Sequence, residues 1–319
     1  MAEPETAGAG RAVLQRRRKG GMCMWRTQSA LVTGRGHRKE GKPLQDRTCI
    51  LQENGVTAAA LADGAGSAAW SQEGAQAAVE TACNLLCGDF DRLFQAGTPA
   101  ELRKRVLEPV RSAVEQRAGE LGAPVSELAC TMLTVAVQGD RYLIFHLGDG
   151  VIAYQKAGTV RIASAPWNGE FVNSTVFVTS QNALRHARVY RGSQPELEGF
   201  CLMSDGCEPA LYDKRRNRMA PLLRVLFQQV QLMGRESSSE ILDAVMQGLI
   251  APRTQDDCSM VLLTRPGARF GRWEQMTTRE KANVLGVRTQ NRCRRRHQIN
   301  RYADRFGVIT PVEREETQL

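Results

Sequence analysis

The sequence predicts an α+β protein in which antiparallel sheets are stacked on one another and covered by helices. Three observations lead there. The elements run in the order strands, two helices, many strands, two helices, strand, which is not the regular alternation of a doubly wound sheet. Two turn signals, Asn54-Gly55 and Gly139-Asp140, join neighbouring apolar runs as hairpins. The 319 residues are 42% hydrophobic, enough for one large core.

In order along the chain, residues 1–21 are small and then basic, and are expected to be disordered. Globular texture begins at Trp25, with a first strand over 26–33. Residues 34–47 read as a polar, Gly-rich loop. Apolar runs at 48–52 and 56–62 flank the Asn54-Gly55 turn. Two helices follow, 72–94 and 99–121, with Ala75, Ala78, Val79, Ala82 and Leu86 in the first and Leu102, Val106, Val110 and Val114 in the second at helical spacing. Residues 131–155 read as a hairpin turning at Gly139-Asp140, its second arm interrupted by Gly148-Asp149-Gly150. Further strands are expected at 158–164, 174–179, 187–191 and 199–203, helices at 219–234 and 238–250, and a last strand at 258–264. The domain division is thus a basic tail over 1–21, a catalytic-sized domain over 22–266 and a basic, partly disordered extension over 267–319.

The net charge of +9 belongs to the ends. Within residues 11–19 and 292–305, Arg11, Arg16, Arg17, Arg18 and Lys19, with Arg292, Arg294, Arg295, Arg296, Arg301 and Arg305, are offset only by Asp304, a surplus that exceeds the whole net charge, so the middle of the chain is close to neutral. Aromatic residues are sparse around the C-terminal arginines, which argues against base stacking and a nucleic-acid-binding role. The tail reads either as a solubilising segment or as a dock for an acidic partner. The nine cysteines include no CxxC pair and sit mostly in apolar contexts, as reduced buried thiols of a cytoplasmic protein would. No apolar run reaches the ~20 residues that span a bilayer, and no apolar segment follows the basic start, so neither a membrane anchor nor a secretory signal is expected.

Four places share one local design, an apolar strand that ends or breaks in an aspartate beside a small residue: Ala62-Asp63-Gly64, Gly148-Asp149-Gly150, Ser204-Asp205-Gly206 and Asp256-Asp257-Cys258. A fifth aspartate, Asp46, stands just before an apolar strand. One Asp-Gly at a strand end is ordinarily a turn. Several strand ends of one sandwich can converge, and carboxylates brought together repel unless cations sit between them. An all-oxygen set suits Mg²⁺ or Mn²⁺, and paired ions of this kind activate water and hold a phosphoryl group.

With Gly36-His37, Gly41 and Pro43-Leu44-Gln45-Asp46, and with Asn173-Ser174-Thr175-Val176-Phe177-Val178-Thr179, residues 26–264 resemble the type 2C metal-dependent Ser/Thr protein phosphatases, in their bacterial branch. The resemblance implies a four-layer αββα sandwich of two antiparallel sheets flanked by helical pairs. It implies hydrolysis of phosphoserine or phosphothreonine by a metal-bound hydroxide, with two core Mn²⁺ or Mg²⁺ ions and a possible third. By position, Asp63 would bridge the core ions and the Gly64 carbonyl would bind one of them. Asp205 and Asp257 would complete the other shell, with Asp257 favoured over Asp256 because it directly precedes the last strand. Asp46 would hold a metal-bound water, and Asp149 would join Asp205 at the third position.

Three departures accompany the match. Gln45 replaces a ligand Glu, Ala65 replaces a His found in eukaryotic relatives, and Gly41 stands where relatives carry the phosphate-binding Arg. His37, taken as a candidate catalytic residue, lies with Arg38 and Lys42 in the same loop, where they are able to substitute. The expected partners are a phosphoprotein substrate and, by resemblance alone, a Ser/Thr kinase or a von Willebrand-type A domain protein, with a monomeric catalytic domain. The competing reading is a pseudophosphatase that binds phosphoproteins without hydrolysing them.

Overall fold

The computed structural model describes residues 13–17, 25–166, 175–232 and 235–265. Two sheets lie face to face. The first has the order β1 (Val13–Arg17), β3 (Arg47–Glu53), β4 (Val56–Ala62), β5 (Met132–Gln138), β6 (Arg141–Leu147) and β9 (Arg188–Ser193). The second has the order β2 (Arg26–Val32), β13 (Cys258–Thr264), β10 (Leu197–Met203), β7 (Val151–Lys156) and β8 (Thr159–Ser164). A small ribbon of β11 (Tyr212–Asp213) and β12 (Arg218–Met219) stands apart. Every described pairing is antiparallel except that of β1 with β3.

Strand periodicity builds three apolar layers. Ile50, Ala59, Leu61, Leu133, Val135, Phe200, Leu202, Val261 and Leu263 point between the sheets. Their neighbours Cys49, Leu51, Ala58, Ala60 and Met132 point outward and are covered by α2 (Ser71–Gly88) and α4 (Pro99–Leu121). On the other side Cys201, Met203, Met260 and Leu262 meet α7 (Pro221–Leu232) and α8 (Arg235–Val245). Because both faces of β4, β10 and β13 are covered, all seven residues of each are buried. This is why these strands read as continuous apolar runs rather than as alternations. Short helices α1 (Arg35–Glu40), α3 (Phe90–Phe94), α5 (Ala183–His186) and α6 (Glu208–Leu211) complete the chain. Among the described residues no helix is long and apolar enough to cross a membrane.

Local chemistry explains the boundaries. Asn54 (φ 53°) and Gly55 (φ 74°) are both left-handed, the conformation a tight two-residue hairpin turn requires. Thr98 caps α4 by accepting from Glu101 N at 3.1 Å, while Glu101 Oε2 accepts from Gly97 N at 2.7 Å. At the end of the sandwich formed by the Asn54 turn and the start of β2, Trp25 stacks on Phe200 with centroids 6.2 Å apart, and the Arg265 guanidinium lies over Trp25.

Several expectations are corrected. The Gly148-Asp149-Gly150 break does not interrupt one arm of a hairpin: β6 ends at Leu147 in the first sheet and β7 begins at Val151 in the second, so the break carries the chain across the sandwich. Residues 34–47 contain α1, closed by Gly41 in the left-handed conformation. Thr175 to Thr179 form no strand; Asn173 and Ser174 lie outside the described residues. Val13–Arg17, inside the segment expected to be disordered, extends the first sheet along β3. The remainder of 1–21, Cys23, and the extension over 267–319 with its arginines and Cys293 lie outside the described residues. The seven described cysteines are buried and free.

Candidate metal centre

The aspartates gather at one end of the sandwich because each occupies a place where the chain leaves or enters a sheet there. Asp46 precedes β3, Asp63 follows β4, Asp149 lies in the crossing from β6 to β7, Asp205 follows β10, and Asp256 and Asp257 precede β13. Asp63, Asp149 and Asp205 each offer a carboxylate oxygen within 4.8 Å of the others. Close backbone approach makes this possible. A Cβ on Gly206 would stand 1.9 Å from Asp257 O, and one on Gly148, whose φ is +117°, would stand 2.5 Å from Thr131 Cβ. Asp63 is held by its backbone: Thr131 Oγ1 accepts from Asp63 N at 2.9 Å, and Asp63 O accepts from Thr131 N at 2.8 Å. Gly64 sits against Ser71 and Gln45 O with no room for a side chain.

Charge repulsion dominates the electrostatics. Burial, followed by the charges of Asp46, Asp205, Asp149 and Asp256, holds the Asp63 carboxyl well above the usual carboxylate range. Burial and then Asp149 and Asp256 raise Asp205 to about 6, while the neighbouring Asp63 carboxyl lowers it. Asp46 is fully buried, and neither of its oxygens has a hydrogen-bond partner. Burial and then Asp257 push it up to about 8, while the nearby Ser259 and Ser204 hydroxyls lower it without reaching hydrogen-bonding geometry. Asp205 Oδ1 is likewise buried and unpaired. Protein interiors rarely leave carboxylate oxygens orphaned. An all-oxygen group of carboxylates, mutually destabilised and partly unpaired, is the donor set that hard divalent cations require.

Asp257 has a different situation. Its Oδ1 accepts from Gly34 N and its Oδ2 from Gln45 N, each at 2.7 Å, and His37 Nδ1 lies 3.0 Å from Oδ1. Both oxygens are thus occupied in tying down the segment that carries α1. Asp256 is exposed, and its charge is felt by both Asp63 and Asp205, whereas that of Asp257 falls on Asp46 and Arg47. Sequence position favoured Asp257 as the ligand; in the structure both of its oxygens accept backbone hydrogen bonds. Gln45 Nε2 donates to Ser71 Oγ at 2.7 Å, leaving Gln45 Oε1 buried and without a partner.

Sequence reasoning missed the supporting residues. Thr131 positions Asp63, and Thr175 donates to Asp149 Oδ2. His146, fully buried behind the crossing, places Nδ1 2.7 Å from Ser164 Oγ and accepts from Arg188 Nη2 at Nε2, 3.0 Å away. Burial and then the Arg188 charge hold it well below the usual imidazole range. Polar residues inside strands were the available signal. Their partners are 18 to 68 positions away and no local pattern identifies them.

The comparisons with known proteins agree with this geometry. Serine/threonine-protein phosphatase 3 of Escherichia coli K12 is 24% identical over 249 residues, covering 75% of this chain and 97% of that protein. A bacterial serine phosphatase of known structure superposes with a TM-score of 0.54 at 14% identity, over 76% of this chain and 98% of its own. A Caenorhabditis elegans sex-determining protein does so with a TM-score of 0.55 at 15% identity, over 76% and 65%. At such identities these two structures establish the fold alone. The family model of protein phosphatase 2C matches residues 33–247, and the chain belongs to the protein phosphatase 2C family.

Proposed function

We propose that this protein hydrolyses phosphoserine and phosphothreonine on proteins, using divalent cations held by its aspartates. The observation that carries the reading is the convergence of Asp63, Asp149 and Asp205 within 4.8 Å, beside a fully buried and unpaired Asp46. Asp63, Asp205 and Asp256 would hold the core ions with the Gly64 carbonyl, and Asp149 with Asp205 a further one; Asp46 would orient water. Mn²⁺ or Mg²⁺ fits the oxygen set, and supplies an activated water and charge neutralisation at the phosphoryl group. Gln45 costs the site one carboxylate but not one oxygen, since its unpaired Oε1 is an acceptable ligand for a hard cation. Asp257 instead fixes Gly34, Gln45 and His37 around the centre.

The substrate is therefore a phosphoprotein, and a cytoplasmic location and a Ser/Thr kinase or von Willebrand-type A domain partner follow from the resemblance. The test is release of phosphate from a phosphothreonine peptide with Mn²⁺ and in EDTA. Activity only with metal is expected. Activity unchanged by exhaustive chelation removes the mechanism, and a metal-loaded but inactive protein favours phosphoprotein binding without hydrolysis.

A further inference from the structure

We propose that His37, oriented by Asp257, is the general acid that protonates the departing serine or threonine oxygen. This rests on the hydrolase reading above and assigns a step that the loop after Asp63 leaves unfilled. From Gly64 to Trp70 that loop offers no titratable side chain: it runs Gly64, Ala65, Gly66, Ser67, Ala68, Ala69, Trp70. An alkoxide is a poor leaving group, and a positioned proton donor contributes about 10²- to 10⁴-fold to such a step.

His37 is held from two sides. Its Nδ1 lies 3.0 Å from Asp257 Oδ1, and Asp257 is fixed in turn by the Gly34 and Gln45 amides at 2.7 Å each. The short helix carrying His37 is pinned to the segment before β13 by Gly36 N donating to Gln255 O at 2.8 Å and Arg35 Nε donating to Thr254 O at 3.1 Å. The other ring nitrogen, Nε2, faces the loop after Asp63, 3.9 Å from where a Cβ on Gly66 would stand. A carboxylate beside one nitrogen of an imidazole, with the other nitrogen toward the reacting group, gives the ring its direction for acid–base catalysis. The contact of Nδ1 with Asp257 is one of charge and distance, not of hydrogen-bonding geometry, and it leaves Nε2 as the nitrogen on the side of the reacting group. Lys42, whose Nζ lies 3.5 Å from Gly66 O, reaches the same turn, but its Nζ is paired with Glu40 at 2.9 Å.

The step balances without a further reactant. Water adds to phosphorus, and the bond from phosphorus to the side-chain oxygen breaks with its electron pair on oxygen. His37 Nε2 gives that oxygen its proton, and the proton lost by the attacking water restores the imidazolium through solvent. The products are the free hydroxyl and inorganic phosphate. Asp257 is a positioning residue in this scheme.

The experiment compares two substrates with opposite need for an acid, a phosphothreonine peptide and p-nitrophenyl phosphate, whose aryl oxide leaves unaided. In the full chain with saturating Mn²⁺, His37→Gln should lower kcat on the peptide about 10²-fold, and at least tenfold more than on the aryl ester. Calorimetric Mn²⁺ affinity of the variant should match the wild type, and Asp257→Asn should show the same substrate-selective loss. Equal losses on both substrates, or a parallel fall in Mn²⁺ affinity, would overturn the assignment while leaving the hydrolase reading intact. A wild type inactive on both substrates would overturn both.

Discussion

Replacing Asp46 by Asn should make the metal-free protein more stable, and by an amount that grows with pH. The folded Asp46 carboxyl is raised from 3.8 to about 8, chiefly by complete burial and by Asp257. A raised carboxyl contributes stability below its unfolded value and loses it as pH climbs toward its folded value. Between pH 5 and pH 7 the folded chain keeps a proton at Asp46 that the unfolded chain has released. One such proton over two pH units corresponds to about 3 kcal/mol. His146 pulls the other way: its value is depressed, so its contribution is lost as pH falls below the ordinary imidazole range. The raw pH profile therefore mixes opposite slopes, and the informative quantity is the difference between Asp46→Asn and wild type, in which His146 cancels. Urea unfolding in EDTA at pH 5, 6 and 7 measures it. The variant should gain on the wild type by about 3 kcal/mol from pH 5 to pH 7, and saturating Mn²⁺ should reverse the order, because only the carboxylate gains from the cation. A difference that is flat with pH would show that Asp46 is already ionised in the metal-free fold, and the reasoning from burial would fail.

Asp63→Asn should reduce turnover of a phosphothreonine peptide on the order of 10²-fold, with unchanged circular dichroism. Asp256→Asn should lower Mn²⁺ affinity by calorimetry, and Asp257→Asn should instead lower the melting temperature, because it disrupts the pairing with the Gly34 and Gln45 amides. Gly206→Ala forces a Cβ to 1.9 Å from Asp257 O and should destabilise by about 2 kcal/mol or more in urea unfolding. Deleting 268–319 should leave peptide hydrolysis nearly unchanged, whereas deleting 1–21 strips β1 from the edge of β3 and should lower thermal stability.

What the sequence made legible was periodic or local. The buried strands, both long helices and the Asn54-Gly55 turn followed from apolar spacing and turn chemistry, and the sandwich followed from their order. The aspartates stood out because each interrupts an apolar run beside a small residue. Which of Asp256 and Asp257 meets the Gly34 and Gln45 amides, more than 200 positions away, was not legible, because adjacent residues of identical type give no local cue. The crossing at Asp149 was misread for a related reason: a break within one strand and a step between two sheets look alike in one dimension. The tilt of His37 toward Asp257 depends on α1, a short helix of mostly charged residues where no helical pattern shows.

The two ends of the sandwich are closed by different materials. At one end Trp25 and Phe200 seal the interlayer with Arg265 above them, a closure made of apolar area and indifferent to chelators. At the other, carboxylates from both sheets gather, Asp46 and Asp63 beside strands of the first, Asp205 and Asp256 beside strands of the second, and on the proposed reading cations held there would act as rivets across the seam. Stripping such ions would loosen one hinge of a two-hinged box. Amide exchange in EDTA should accelerate at Gly34, Gln45 and Thr131 and stay slow around Trp25, so the domain would breathe from the carboxylate end.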